Sequence, residues 1–557
     1  MDPAAQVRSV GVAAFLLAAA TLAVSQLPEV WAVRTDARGG IPGSVYAGYP
    51  YTYADEAATY LGWIRQAGEG RFFLTDRLTP EEHPRNYVNI LWSAMAAVCA
   101  LTGLSNVAVY SASRVLLGAV VLWMLWILAG RMFERPGARL ACYTTLVVAG
   151  GWEGAGAFLE RNAGGPHVSS PGWWTPQIST FFSLMLYPHI LASFVCLLGA
   201  VLLMVRAWDG SPERGSLGFG IATGLVAAVL TFFHPMDSVT LLALVWSAPL
   251  AIGLVEGRIP WSEWRLSVGA TAVWLPALLY NLYIFRTNPV MRAWDFQNLM
   301  ISPEPWKLMV SYGVSGLLSA VALLRLRHLS RPQRIMAAWL IGVLVLIYLP
   351  LRFQRRMEGG IQFPLAVLAT ATLVWIGDRV FRGTAARGGW AALGLTLLLL
   401  PLQAATPYYL LDIEMKHVRS GKFPSWLTEE TVEAFAYLER TSPSNAIVLA
   451  SYDMGNLVPS RTGRRCFLGH YALTVDAKAK SKDVERFFAA PDGEDIWRRD
   501  FLQRWRITHL LYTPHERRLG SFEPSTRPWL RRVFRQGERP ERACEVYEVL
   551  SAGTPGT

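Results

Sequence analysis

The chain has 557 residues, 52% of them hydrophobic, and a formal net charge of +11. So many uncharged apolar blocks exclude an ordinary soluble enzyme and point to a polytopic membrane protein. The positive charge does not indicate a nucleic-acid partner, because the lysines and arginines cluster in short loops between apolar blocks, as in cytoplasmic membrane loops.

Val10–Gln26 is an apolar run after Arg8, read as a retained signal anchor because many apolar blocks follow. The loop Pro28–Asn86 then emerges outside the cytoplasm. Within it, Tyr53-Ala54-Asp55-Glu56 opens an amphipathic helix with Leu61, Ile64 and Gly68 near one face, and His83-Pro84-Arg85 closes the stretch. Further blocks run over Tyr87–Leu104, Val107–Gly130, Leu140–Ala157, Phe181–Val205, Leu217–Phe233, Ser238–Val255, Leu266–Phe285, Leu308–Leu324, Ile335–Leu351, Ile361–Ile376 and Trp390–Ala405. Each is long enough, or nearly so, to span as a helix, the form that satisfies its own backbone in lipid.

Orientation follows from the basic loops. Arg131, Arg135 and Arg139 form one cluster, Arg206 and Arg214 another, Arg258 and Arg265 a third. Arg325, Arg327, Arg331 and Arg334 form the strongest, and Arg379, Arg382 and Arg387 the last. All read as cytoplasmic. One conflict arises: if both Tyr87–Leu104 and Val107–Gly130 cross, parity puts Arg131–Arg139 outside. Either the first does not cross or Leu140–Ala157 does not.

The loop Arg352-Phe-Gln-Arg355-Arg356-Met-Glu358 carries three arginines yet should face outward. An anionic ligand at the outer surface explains this, since arginine binds phosphate in a bidentate, permanently charged way. A snorkelling interfacial cluster is the structural alternative. From about Asp412 the composition changes. Thr428–Arg440, the stretch around Phe487 and Phe488, and Trp497–Trp505 read as helices, and Ala446–Ser451, Ile507–Tyr512 and Glu545–Leu550 as strands, giving a small α/β domain. With the last apolar block running outward, this domain is extracytoplasmic. Of the five cysteines, Cys99, Cys142 and Cys196 read as packing residues, and Cys466 and Cys544 as a candidate disulfide pair in an outer domain.

Candidate chemistry sits at predicted outer helix ends and loops. Asp55 is either a helix cap with Glu56 favouring the dipole, or a carboxylate acting as general base or metal ligand. His83 and Arg85 are a phosphate-facing pair or solvated loop residues. Glu153 and Glu160, with Trp152, Trp173 and Trp174, suit a sugar site or an interfacial belt. His189, His234 and Asp237 are ionisable groups beside membrane segments, a position that points to substrate contact. Ser451-Tyr-Asp453-Met-Gly455-Asn456 follows a strand, a ligand position or a plain turn. There is no P-loop, no GxGxxG after a strand, no HExxH and no GxSxG, so nucleotide-driven and Rossmann chemistry are unsupported.

This assembly resembles the GT-C superfamily of polytopic glycosyltransferases, which includes protein O-mannosyltransferases, aminoarabinose transferases and oligosaccharyltransferases. Tyr53-Ala54-Asp55-Glu56 directly after the first span carries the resemblance. So do Tyr110-Ser-Ala-Ser-Arg114, opening a helix that ends Gly130-Arg131-Met-Phe133, and the runs Leu449-Ala-Ser-Tyr-Asp-Met-Gly-Asn456 and Gly463-Arg464-Arg465-Cys-Phe-Leu-Gly469-His470. The resemblance implies a mainly α fold: a transmembrane bundle of about 11–13 helices over residues 1–411, then an extracytoplasmic α/β domain over 412–557. It implies an inner (plasma) membrane enzyme that takes a sugar from a polyprenyl-phosphate donor and gives it to a lipid, glycan or protein acceptor. Asp55, with Glu56, would activate the acceptor or hold a divalent metal such as Mg or Mn. Arg355 and Arg356, with Arg85 and His83, would hold the donor phosphate. Glu153, Trp173, Trp174, His189, His234 and Asp237 would line the substrate. Two departures stand out: His83-Pro84-Arg85 replaces an HPP-type run, and the second outer loop has no DxD. A transporter of lipid-linked glycans and a non-catalytic envelope assembly subunit are the alternative readings.

Overall fold

The structure, a computed structural model, describes residues 3–157, 171–173, 175–209, 216–381, 385–489, 492–539 and 541–550. The chain clusters into two compact units. The first comprises Met1–Pro28, Ser111–Asn281 and Met300–Met415; the second comprises Glu29–Tyr110, Leu282–Leu299 and Lys416–Thr557. Residues read from the sequence as the first outer loop thus cluster with the C-terminal part.

Among the described residues eight helices are long and apolar enough to cross a membrane: Gln6–Ser25, Asn106–Met132, Pro188–Trp208, Pro235–Glu256, Trp261–Thr287, Pro305–Leu324, Gln362–Val380 and Arg387–Arg419. The protein is therefore a multi-pass membrane protein. Shorter helices Pro136–Val148, Ser216–Thr231 and Arg331–Leu346 complete the bundle of the first unit. The block Tyr87–Leu104 shortens to the helix Ile90–Thr102, 13 residues long. At 1.5 Å per residue that is roughly 20 Å, short of a bilayer core of about 30 Å. The Asn89 side chain caps its start, accepting from the Trp92 N–H, and left-handed Gly103 ends it.

The basic loops of the first unit meet at one end of its bundle. Arg331 pairs with Glu256 at 3.0 Å and with Glu263 at 2.6 Å, and donates to the Trp208 carbonyl. Gln333 donates to the Met132 carbonyl, and Arg135 pairs with Asp378 at 2.7 Å. Arg325 and Arg379 both stack on Trp375, 4.0 and 4.7 Å from its ring centroid. Arg214 and Arg382 lie outside the described residues. One span is interrupted, and another is preceded by a separate short helix. Gly313, with φ 55 and ψ −141, breaks the helix Pro305–Leu324. Tyr187 leaves the helical region between Thr180–Leu186 and Pro188–Asp209. Arg114 is fully buried, donating to the Met185 carbonyl at 2.8 Å and to Gln26 Oε1 at 2.7 Å.

The second unit is built on a sheet. Its strands are β1 (Ser44–Tyr46), β2 (Trp426–Thr428), β3 (Ile447–Leu449), β4 (Arg465–Cys466), β5 (His509–Tyr512), β6 (Leu530–Gln536) and β7 (Cys544–Val549). The main sheet has the order β4-β3-β5-β7-β6. β3 pairs in parallel with β4 and β5, and β7 runs antiparallel to β5 and β6. The parallel strands β3 and β5 are buried along their whole length, which explains their unbroken apolar runs. The helix Tyr452–Thr462 connects β3 to β4; Ala477–Ala489 and Asp495–Arg504 lie between β4 and β5. The two-stranded pair β1-β2 is antiparallel. Cys466 on β4 and Cys544 on β7 are free and buried. Two strands lie between theirs, about 14 Å at strand spacing, twice the reach of a disulfide. The expected pairing does not form.

Candidate active site

The acidic pair opens the helix Ala54–Gly68, whose Ala54, Ala57, Ala58, Leu61 and Ile64 turn inward at helical spacing. Gly68, expected on that face, is exposed. The cap residue is Tyr53, in the left-handed region with φ 58 and no side-chain capping bond. Asp55 and Glu56 stand instead in the first turn, where the helix dipole favours their charge. Asp55 Oδ1 accepts from the Glu56 N–H at 3.0 Å, and Oδ2 from the Tyr452 hydroxyl at 3.0 Å. Glu56 Oε2 accepts from the Tyr60 hydroxyl at 2.6 Å, and Oε1 faces His470 Nε2 at 3.5 Å. The Ala472 N–H donates to His470 Nδ1, so a neutral imidazole carries its proton on Nε2, toward Glu56. Burial, then the charge of Asp55, raises the Tyr452 phenol, which keeps it a donor.

The sheet explains why these groups meet. Ser451 follows β3 and caps the next helix, accepting from the Met454 N–H, and this places Tyr452 and Asp453 at the carboxyl end of the strand. The Leu468–His470 segment follows β4, and Thr513 follows β5. Buried Glu516 ties the ends of β3 and β5 together, accepting from the Ser451 N–H at 2.7 Å and the Thr513 N–H at 2.8 Å. His515 Nδ1 lies 2.9 Å from Asp453 Oδ2. Tyr452, Asp453, His470 and His515 thus stand at the carboxyl ends of parallel strands, the usual ligand side of such sheets.

Other expected residues of the second unit sit apart from this end. His83 accepts from the Asp76 N–H at Nε2 and makes a 2.9 Å bond to the Glu81 carbonyl through Nδ1. Both ring nitrogens are thus engaged by backbone, and burial lowers its pKa; a phosphate there would displace one of these bonds. Arg85 lines a cavity at the amino ends of β3, β4 and β5.

In the first unit, Glu153 is buried, with Oε1 accepting from the Gly172 N–H at 3.1 Å and Oε2 accepting from the Thr406 hydroxyl at 3.3 Å. Trp173 packs edge-on against Tyr409 at 4.8 Å. Trp174 and Glu160 lie outside the described residues. His189 and His234 stand 5.6 Å apart, His234 Nδ1 is 2.9 Å from Asp237 Oδ2, and the Ser193 hydroxyl donates to the same oxygen. These three expected residues form one buried group. Arg355 and Arg356 lie on the short turn Gln354–Glu358, half-buried. Glu358, which follows them, was not singled out from the sequence. It is fully buried, neither carboxylate oxygen has a hydrogen-bond partner among the described residues, and burial, opposed by Arg355, pushes it up to about 8.

Among the described residues no three His, Cys, Asp or Glu side chains converge as a metal-binding group. The acid site itself offers two carboxylates, each already bonded to hydroxyl or amide donors. These residues do not by themselves fit a divalent metal.

No family model matches the chain, and no curated protein sequence matches it. Solved structures do. The oligosaccharyltransferase of Archaeoglobus fulgidus in its apo form superposes with a TM-score of 0.54 at 10% identity, over 90% of this chain and 69% of that one. The same archaeal enzyme in complex with an inhibitory peptide and a dolichol-phosphate gives the same values. ArnT from Cupriavidus metallidurans bound to undecaprenyl phosphate superposes with a TM-score of 0.50 at 12% identity, over 90% of this chain and 94% of that one. What is shared at this identity is the fold, and it is the polytopic GT-C fold that the sequence motifs led us to expect.

Proposed function

We propose that the chain is a membrane glycosyltransferase that moves a sugar from a polyprenyl-phosphate donor to a lipid, glycan or protein acceptor at the extracytoplasmic face. One observation carries the reading: Asp55 and Glu56 are fixed by Tyr452, Tyr60 and His470 at the carboxyl ends of parallel strands. The fold is shared with an oligosaccharyltransferase seen with a dolichol-phosphate and with ArnT seen with undecaprenyl phosphate.

In this mechanism an Asp55 oxygen takes the proton of an acceptor hydroxyl or amide. The acceptor atom attacks the anomeric carbon, and the bond from that carbon to the phosphate oxygen breaks. The electron pair leaves on the polyprenyl phosphate. Arg355 and Arg356 hold that phosphate and stabilise the charge it gains, since preorganised donors act where charge develops. Tyr452 steadies Asp55 and His470 steadies Glu56. Glu153, Trp173, His189, His234 and Asp237 contact substrate.

The transporter reading has one observation in its favour: the interruption of Pro305–Leu324 at Gly313, because discontinuous helices mark transport sites. The test is a panel of radiolabelled polyprenyl-phosphate sugars presented to the protein in proteoliposomes. Label appearing on an acceptor supports the transferase and names the donor. Label that crosses the bilayer still attached to its carrier, with no acceptor product, establishes the transporter instead.

A further inference from the structure

The acidic pair stands at the carboxyl ends of the parallel strands of the second unit; the amino ends of the same strands carry a cavity of about 600 Å³ of opposite character. Ile447 begins β3, Arg465 begins β4, and Thr508 precedes β5, and all three line it. Six arginines face this space: Arg71, Arg77, Arg85, Arg465, Arg504 and Arg506. Its two glutamates are already paired, Glu82 with an arginine of the cavity itself. Glu81 is paired with Lys480 at 2.5 Å, and Glu82 with Arg506 at 3.2 Å. Arg77 is held by Glu69 at 2.5 Å.

Four guanidinium groups are left undercompensated. Arg71 has only Glu69, at 3.7 Å. Arg465 has no ion pair among the described residues; it donates to the Pro80 carbonyl at 3.4 Å and feels Glu82 and Asp76 at longer range. Arg85 and Arg504 have no ion pair among the described residues, and both are exposed. The crowding is felt: burial, then like charge from Arg77, Arg85 and Arg465 against the opposing Glu69, lowers the pKa of Arg71, and burial with Arg77 and Arg85 lowers that of Arg465 against the opposing Glu82 and Asp76. Uncompensated like charges drawn into one concavity cost stability that a bound anion recovers. A single carboxylate is matched by one or two guanidinium forks; a set of four suits a group with more oxygens and more charge.

We propose that this cavity is a second ligand site, separate from the acidic pair, that takes a phosphate or pyrophosphate group, carried on a lipid headgroup or free in solution. It gives Arg85 a phosphate-binding role at the opposite end of the strands from Asp55. The inference stands on the second unit alone and does not depend on the transferase reading.

The test uses the full-length protein in detergent, titrated calorimetrically at low ionic strength with inorganic pyrophosphate and, separately, with short-chain phosphatidic acid. The wild type is expected to bind at least one of them saturably, with affinity falling as salt rises. Arg85→Ala combined with Arg504→Ala, both at exposed positions that leave the core intact, should weaken binding by about ten-fold or more. Asp55→Asn should leave it unchanged. Preference for phosphatidic acid assigns the site to a lipid headgroup, and preference for pyrophosphate to a soluble ligand. Binding of neither probe, binding unchanged in the arginine variant, or binding lost on Asp55→Asn overturns the proposal.

Discussion

Two hydroxyls and one imidazole decide how the acidic pair presents its charge. A hydrogen bond to a charged group is worth about 1.5–3 kcal/mol. Tyr452→Phe, which keeps the ring and removes the donor to Asp55 Oδ2, should therefore lower the rate of transfer by about 10- to 100-fold. Its melting temperature should stay close to that of the wild type; an unchanged rate would mean that the Tyr452 hydroxyl does not steady the base. Asp76 makes a second, independent case. It is fully buried with Oδ1 accepting from the Leu78 N–H, and burial raises it from 3.8 to about 7. Between about pH 4 and pH 7 the unfolded chain has released a proton that the folded chain keeps, so stability falls as pH rises through that window. The total loss is on the order of 4 kcal/mol. Asp76→Asn keeps an acceptor for Leu78 and removes the titration. Its melting temperature should thus exceed that of the wild type at pH 8, with the gap closing toward pH 4; parallel curves would contradict this. Asp55 and Glu56 were legible in the sequence because two adjacent acids are conspicuous in so apolar a chain. Their partners were not: Tyr452 lies 397 residues away, and no local pattern records a contact made by folding. Glu358 was passed over for the opposite reason, since beside two arginines it looks like an ordinary surface ion pair.

The helix Tyr452–Thr462 reaches its place only because Gly455 lets it press against the segment after β4. A Cβ at Gly455 would fall on the Leu468 carbonyl oxygen, part of the backbone and unable to rotate aside. Gly455→Ala should cost about 3 kcal/mol or more, the upper range for overpacking, and move Tyr452 away from Asp55. Loss of folded protein on size-exclusion chromatography, or a melting temperature lowered by several degrees, checks it; a wild-type melting curve would refute the close approach. The same helix shows what the sequence hid. Pro459 lies within it, and its run of polar residues reads as a turn after a strand. β4 has two residues, one of them Arg465, and β6 carries three arginines along an edge. Edge strands favour such charges, and the charges erase the alternation by which strands are recognised. Apolar blocks were legible as helices throughout, but not their ends. Asn89 and Gly103 trim Tyr87–Leu104 below a membrane crossing, whereas the helix under Trp390–Ala405 continues through Pro401 and Pro407 to Arg419.

The basic loops give the whole chain its direction. Arg331, Arg325, Arg135 and their partners gather loops from five places in the sequence at one end of the first unit, and the positive-inside rule predicts that this end is cytoplasmic. A cytoplasmic basic end would put the exit from the last span on the outer side. A membrane-impermeant maleimide applied to intact cells should label Ser444→Cys and spare Ser330→Cys until the membrane is opened; the reverse pattern would invert the topology. That the basic loops share one end was legible because charge bias operates on loops, whatever the helix ends. The clustering of residues 29–110 with the C-terminal part was not, because an apolar or polar stretch carries no mark of the distant segment it packs against. All of this serves one proposition, that Asp55 is the base of a glycosyl transfer. It is tested by comparing wild type and Asp55→Asn in proteoliposomes with the donor that the panel identifies, after both have shown the same melting temperature. The account predicts that the variant loses transfer by about 10²-fold or more, the usual worth of a positioned base. Transfer at the wild-type rate in the folded variant would contradict it and reduce Asp55 to a helix-terminal charge.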